Sequence, residues 1–294
     1  MHCNKHFLSD KKTELNQDSV DLLIRHALIE DIGKGDITTQ LTVPEDKQIK
    51  AHILVKEDCV ICGLTIAERV FQLVDKDVDF RPFAREGQKV TKNKILAVVS
   101  GNARSILNAE RVALNLMSLL SGISTKTRKY VDKVDPFTTK VTDTRKTMPG
   151  LRELQKYAVR VGGGYNHRIS LDEMILIKDN HIKVTEGYTK LPRIPKGFKI
   201  EIEVQNLDEF KHALKFKPDI IMLDNMPPKD IKEAVEMRNS IDFTKSHHPK
   251  TKLEASGGIT LVNIKDVAQT GVDIISLGDL THSIDSVDIS LDVV

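Results

Sequence analysis

The stretch KIEIEVQNLDEFKHALKFKPDIIMLD, residues 199–224, reads as strand, helix, strand. IEIEV at 200–204 and IIML at 220–223 are short apolar runs, and residues 207–216 between them carry helical spacing. A strand joined to the next strand through a helix implies parallel pairing with a right-handed crossover. The same alternation extends in both directions. KVTD at 140–143, MILI at 174–177, KLEA at 252–255 and IISL at 274–277 are further strands, and helices are predicted near 150–161, 229–240 and 261–269. A polar or glycine residue stands at or just past nearly every strand end: Arg145, Lys178, Glu203, Asp224, Ser256 and Gly278. An α/β barrel presents its active site in this way, on the C-terminal rim of its strands.

Upstream the pattern is different. Residues 18–32 form an amphipathic helix with Val20, Leu23, Ile24, Ala27 and Leu28 on one face, and EDIGKGDITT at 30–39 supplies Gly33 and Gly35 as helix stop and loop. Ile49, Ala51, Ile53 and Val55 alternate as in a half-buried strand. A helix near 64–75 follows, then strands near 78–83 and 95–99 around the turn-like EGQKV. These elements predict an α+β unit built on an antiparallel sheet. A long helix from about Ala103 to Leu120 leads into the barrel region.

Composition narrows the class of function. The 294 residues carry 44 basic and 42 acidic side chains, a net charge of +2, which argues against general nucleic-acid binding. No apolar run approaches the ~20 residues of a membrane span. The polar start, MHCNKHFLSDKKTELNQ, lacks the apolar centre of a signal peptide, so a cytoplasmic protein is expected. Cys59 and Cys62 form a C-x-x-C, but a redox pair would open a helix, whereas this pair follows a strand pattern. A zinc site would need two more ligands, for which only His2, Cys3 and His6 offer themselves. Two small buried apolar residues are the favoured reading. P-loop, G-x-G-x-x-G, H-E-x-x-H and G-x-S-x-G patterns are all missing, which sets aside the corresponding nucleotide, dinucleotide and hydrolase chemistries.

The charged residues point to an anionic small molecule. Arg145 and Lys146 follow one strand, His167 and Arg168 lie in a glycine-flanked loop, and Lys178 follows the next strand. Arg111 lies midway along the long helix. Cations converging on a half-buried pocket repel one another unless a polyanion enters, and arginine pairs with carboxylate or phosphate through two parallel bonds. Glu203 and Asp224 are hard oxygen donors suited to Mg²⁺ or to ribose hydroxyls. Glu201 alternates with Glu203 and shares its face, so either carboxylate could meet the metal. Ser256, Gly257 and Gly258, between a strand and a helix, offer backbone N–H groups to a phosphate, as does Gly278. From the residues alone, the chain is an enzyme for an anionic small molecule on an α/β barrel.

EDIGKGDITT, NARSILNAERVALNLMSLLSGIST, DTRKTMPGLR, VGGGYNHRISLDEMILIKDNHI, IEIEV, IMLDNM, EASGGIT and ISLGDLTHS run in order along nearly the whole chain. In these stretches the chain resembles the quinolinate phosphoribosyltransferases, with DTRKT, GGGxNHR and KDNH the most specific. The resemblance implies a type II phosphoribosyltransferase fold: an N-terminal α/β sandwich over 1–118, completed by 281–294, and an incomplete α/β barrel over 119–280. It also implies a homodimer or higher oligomer with active sites shared between subunits.

The reaction it implies takes quinolinate and 5-phosphoribosyl 1-pyrophosphate, with Mg²⁺, to nicotinate mononucleotide, pyrophosphate and CO₂ in NAD biosynthesis. Arg145, His167, Arg168 and Lys178 would then hold the two quinolinate carboxylates, with Arg111 reaching in from the partner subunit. Lys146, Glu203 and Asp224 would serve the phosphoribosyl substrate and its metal. The backbone at Ser256, Gly257, Gly258 and Gly278 would hold the 5-phosphate.

Two stretches depart from the family pattern. Leu171, Asp172 and Glu173 stand where the family often reads Leu-Tyr-Asp, which bears on packing near Lys178. Residues 239–252 are longer than usual, and a solvated surface insertion is the favoured reading of this segment, with His247 and His248 in it. Two rivals share the resemblance: a related transferase for another aromatic acid, of the molybdenum-locus type, and a non-catalytic nucleotide-binding homologue. Retention of the carboxylate-binding set disfavours the first, and retention of Lys146, Glu203 and Asp224 disfavours the second.

Overall fold

Val20, Ile24 and Leu28 recur every fourth residue, and all three are buried along one side of α1 (Gln17–Ile32). Asn16 caps this helix by accepting the Ser19 N–H at 3.1 Å. The structure is a computed structural model and describes residues 15–185, 195, 197–241 and 249–294. His2, Cys3, His6, His247 and His248 lie outside the described residues. The chain divides into two compact units, described in turn.

The first unit comprises Thr13–Arg128, Met148–Gly163 and Leu280–Val294. Beyond α1, the expected loop at 30–39 instead runs into a short helix, α2 (Ile37–Thr42), because Asp36 caps it by accepting the Thr39 N–H at 2.9 Å. An antiparallel sheet follows, made of β1 (Gln48–Val55), β3 (Asp79–Pro82), β5 (Ile95–Asn102) and β12 (Ile289–Val293), in the order β12-β1-β5-β3. Ala51, Ile53 and Val55 alternate into its core. The last strand thus pairs with β1, from Ala51 opposite Val293 to Val55 opposite Ile289. Two short strands, β2 (Cys59–Val60) and β4 (Lys89–Val90), pair separately, so EGQKV contains a strand as well as a turn. The helix α3 (Leu64–Val74) buries Leu64, Ile66, Ala67, Val70 and Phe71.

The long helix α4 spans Ala103–Val134, well past the predicted end at Leu120. Its run Ser121-Gly122-Ile123-Ser124-Thr125 reads as helix-weakening, yet these small residues let other backbone approach closely. Ser121 Oγ accepts the Cys62 N–H at 3.0 Å, and Thr125 Oγ1 accepts that of Val60 at 2.8 Å. A Cβ on Gly122 would stand 2.3 Å from the Asp285 carbonyl oxygen. The Cys59 and Cys62 thiols are free and buried, in keeping with small core residues. The helix predicted at 150–161 forms as α5 (Arg152–Val161), but it belongs to this first unit. Ser124 Oγ donates to the Ala158 carbonyl at 3.0 Å, and Gln155 Nε2 to that of Thr281 at 3.0 Å.

The second unit holds Lys129–Thr147 and Gly164–Asp279. Its strands are β6 (Lys140–Thr142), β7 (Ile175–Ile177), β8 (Ile200–Val204), β9 (Ile220–Asp224), β10 (Lys252–Ser256) and β11 (Ile274–Ser276). All their pairings are parallel, in the order β6-β11-β10-β9-β8-β7. This is the strand order of a barrel opened between β6 and β7. Among the described residues no ladder joins those two strands, and Tyr165 adds a single parallel bridge to Thr142.

The predicted helices near 207–216, 229–240 and 261–269 appear as α7 (Leu207–Leu214), α8 (Pro228–Asn239) and α9 (Ile264–Gln269). Two short helices, α6 (Asp179–Val184) and α10 (Asp279–His282), follow β7 and β11. Among the described residues no helix is long and apolar enough to cross a membrane.

Candidate active site

The six parallel strands bring the predicted residues to the C-terminal ends of one sheet. Arg145 and Lys146 follow β6, Lys178 follows β7, and Glu203 lies near the end of β8. Asp224 closes β9, Ser256 closes β10, and Gly278 follows β11. Arg111 lies on α4 in the first unit, with an exposed guanidinium 3.7 Å from the adjacent Glu110 carboxylate.

The loop between β6 and β7 is built on Asp143, a fully buried carboxylate. It accepts Asn166 Nδ2 at 2.5 Å and the His167 backbone N–H at 2.9 Å, which ties the loop to the end of β6. His167 is also buried, and protein groups occupy both ring nitrogens. Nδ1 accepts the Arg168 backbone N–H at 2.8 Å. The hydrogen therefore sits on Nε2, which donates to Glu201 Oε2 at 3.1 Å and has Glu254 Oε1 at 3.6 Å. Where sequence reasoning expects His167 to hold a carboxylate of the substrate, the ring is turned inward onto two carboxylates of the protein.

Arg168 is only 6% exposed, and its Nη1 donates to the Met174 carbonyl at 2.8 Å. Burial holds its pKa below the usual arginine value. The neighbouring Arg145 charge acts in the same direction, against Glu201 and Glu173. The Nε groups of both Arg145 and Arg168 are buried without a hydrogen-bond partner. Two adjacent guanidinium groups with buried donors left over have the charge and the free donors that a carboxylate would satisfy.

Glu201 and Glu254 are both fully buried, on strands β8 and β10. Burial first, and then the Glu201 charge, push the Glu254 carboxyl up to about 8. With His167 they form a group whose ligand atoms all lie within 4.8 Å of one another. The 3.1 Å separation of His167 and Glu201 is a hydrogen-bond distance.

On the other side of the rim, Lys178 Nζ pairs with Glu203 Oε2. Lys178 is half-exposed and Glu203 is buried. The Lys178 backbone N–H donates to His181 Nδ1 at 3.0 Å, which fixes the start of α6. Asp224 accepts Asn225 Nδ2 at 2.9 Å, and Asn225 in turn donates its N–H to the Ser256 carbonyl at 2.8 Å. Asn225 has φ of 55°, a left-handed conformation that asparagine tolerates better than most residues. Gly257, at φ 88°, lies so close that a Cβ there would stand 2.2 Å from Asn225 Oδ1. Asp224 and the Ser256–Gly258 loop are thereby locked together.

Asp143, Asn166, Asn225 and Glu254 escaped the sequence reading as site residues. For Glu254 the signal was a lone carboxylate inside an otherwise apolar parallel strand, where burial is expected. Asp143 and Asn166 gave no such signal, since turn residues of their type are common.

The family model for the N-terminal domain of quinolinate phosphoribosyl transferase matches residues 36–121, and the model for its C-terminal domain matches 123–292. The chain belongs to the quinolinate phosphoribosyltransferase family. A probable nicotinate-nucleotide pyrophosphorylase (carboxylating) of Synechocystis is 43% identical over 87% of this chain and 86% of its own length. One from Bacillus subtilis is 40% identical over 95% of both chains. The solved nicotinate-nucleotide pyrophosphorylase of Francisella tularensis is 42% identical, covers 97% of this chain and 100% of its own, and superposes with a TM-score of 0.88.

Proposed function

We infer that the protein transfers a phosphoribosyl group from 5-phosphoribosyl 1-pyrophosphate to quinolinate, yielding nicotinate mononucleotide, pyrophosphate and CO₂. The observation that carries this reading is the Arg145–Arg168 pair, two neighbouring guanidinium groups with buried donors that have no partner in the protein. Together with Lys178 they supply enough fixed positive charge for two carboxylates on one ring. His167 contributes by holding Arg168 rather than by touching substrate. Arg111, exposed on α4, completes the pocket of a partner subunit, which makes the active form a homodimer or a larger oligomer. Unpaired buried thiols at Cys59 and Cys62 support a cytoplasmic location.

The phosphoribosyl half of the site lies on the following strands. Glu203, next to the end of β8, and Asp224, closing the neighbouring β9, offer only oxygen atoms, a set that fits Mg²⁺ bound through substrate oxygens and water. Bound there, Mg²⁺ would neutralise charge on the pyrophosphate. Lys146, exposed after β6, serves the same substrate, and the backbone N–H groups of Ser256, Gly257, Gly258 and Gly278 hold the 5-phosphate.

The chemistry asks for positioning and charge rather than a nucleophilic side chain. The pyridine nitrogen forms a bond to ribose C1 as the C1–oxygen bond to pyrophosphate breaks. Carboxylates beside C1 stabilise the cationic sugar in passage. The ring nitrogen, now quaternary and positively charged, stabilises the electron pair left on the adjacent ring carbon as its bond to the carboxylate breaks. CO₂ leaves, and a proton takes its place on the ring carbon. Arg145, Arg168 and Lys178 hold the acid in line throughout.

Turnover with quinolinate, nicotinate and phthalate as alternative acceptors tests the reading. Quinolinate alone should be converted. Conversion of nicotinate at the same rate contradicts the dicarboxylate assignment.

A further inference from the structure

Two fully buried carboxylates inside a barrel call for a reason, since an apolar pair of similar size would fill the space without desolvating charge. Glu201 and Glu254 both face His167 Nε2, at 3.1 and 3.6 Å. His167 is therefore held at three atoms: its backbone N–H by Asp143, its Nδ1 by the Arg168 N–H, and its Nε2 by Glu201. Arg168 is held in turn at its own backbone N–H and at Nη1. Every link runs inward from the guanidinium that meets the acid. Both are set back within their strands, as the second residue of β8 and the third of β10, whereas Glu203 lies next to the end of β8 and Asp224 closes β9.

We propose that Glu201 and Glu254 are positioning residues for quinolinate recognition, acting through His167 to fix Arg168. With the imidazole clamped, its Nδ1 stays aimed at the Arg168 backbone, and the guanidinium stays aimed at the carboxylate of the acceptor. This proposal rests on the inferred role of Arg168 in holding quinolinate. Strands β8 and β10 also carry Glu203 and Ser256, but those residues lie further along toward the strand ends, whereas Glu201 and Glu254 meet His167, so binding of the phosphoribosyl substrate should not need the clamp.

Steady-state kinetics of Glu201→Leu and Glu201→Gln, with each substrate varied in turn, separate this role from core filling. Leucine keeps the bulk and removes the acceptor, whereas glutamine keeps an acceptor oxygen. Glu201→Leu should raise KM for quinolinate about tenfold or more, the scale of a lost hydrogen bond to a buried group, and leave KM for phosphoribosyl pyrophosphate within about twofold. Glu201→Gln should recover most of the loss. Wild-type constants in Glu201→Leu, or equal rises in both KM values, overturn the proposal. Should Glu201→Leu not fold, Glu254→Leu is expected to give the same quinolinate-only change, and unchanged constants there overturn it equally. Wild-type protein in the same assay reports on the underlying function: if it does not convert quinolinate, that reading fails and takes the proposal with it.

Discussion

Lys178 pairs with Glu203 across the ends of two neighbouring strands, β7 and β8. If Lys178 meets the acid and Glu203 the phosphoribosyl substrate, the pair joins the two halves of the site. Glu203 is buried while Lys178 is half-exposed, so the lysine can turn toward an incoming carboxylate while the glutamate stays fixed. If the dicarboxylate recruits Lys178, Glu203 would be released for the second substrate and its metal.

Lys178→Ala should therefore lower turnover with quinolinate by about 10²-fold or more, the scale of losing a key electrostatic group. Single-turnover and steady-state assays read this directly. Wild-type rates in the variant contradict the assignment of Lys178.

Gly257→Ala should impair the phosphoribosyl side alone. The new Cβ would collide with the Asn225 amide at 2.2 Å, and the residue would be forced to hold φ near 88°. Strain of this kind costs about 1–3 kcal/mol, so a lower melting temperature and a raised KM for phosphoribosyl pyrophosphate are expected, with KM for quinolinate little changed. A larger effect on quinolinate contradicts the placement of this loop.

Glu254 makes a prediction about pH. Its carboxyl is raised from 4.5 to about 8 by burial and by Glu201, so the folded protein keeps a proton that the unfolded chain releases. Its contribution to stability is complete below the unfolded value and is lost as pH rises through the folded one. Glu254→Gln stays neutral at every pH. Its melting temperature relative to wild type should therefore climb between about pH 5 and about pH 9. A difference that is flat or falls across that window contradicts the buried, protonated state.

The shared pocket can be tested by mixing. Arg111→Ala and Lys178→Ala protomers should each be nearly inactive alone. If Arg111 serves a partner's site, subunit exchange creates a hybrid with one intact site, and part of the activity returns. Complete exchange, verified by mass spectrometry, without any return contradicts a role for Arg111 across the interface.

Much of this was legible in the sequence because its signals are local. IEIEV and IIML are apolar runs bounded by polar residues, and they became adjacent parallel strands within a residue of their expected ends. The placement of Arg145, Lys178, Glu203 and Asp224 at or near strand ends was legible for the same reason. The reach of α4 was obscured because Ser121, Gly122 and Ser124 weaken an isolated helix, while here they serve close packing against backbone far away in sequence. The inward turn of His167 was equally hidden, since its partners Glu201 and Glu254 lie 34 and 87 positions downstream. Such pairings depend on how strands are ordered in the sheet, and no spacing along the chain encodes that order.

The most direct measurement is to follow carboxyl-labelled quinolinate through the reaction with phosphoribosyl pyrophosphate and Mg²⁺, identifying products by mass spectrometry. The account predicts nicotinate mononucleotide, pyrophosphate and CO₂ in equal amounts, from a reaction that stops when either substrate is withheld. Release of CO₂ without nucleotide, or a nucleotide that retains both carboxylates, would contradict it.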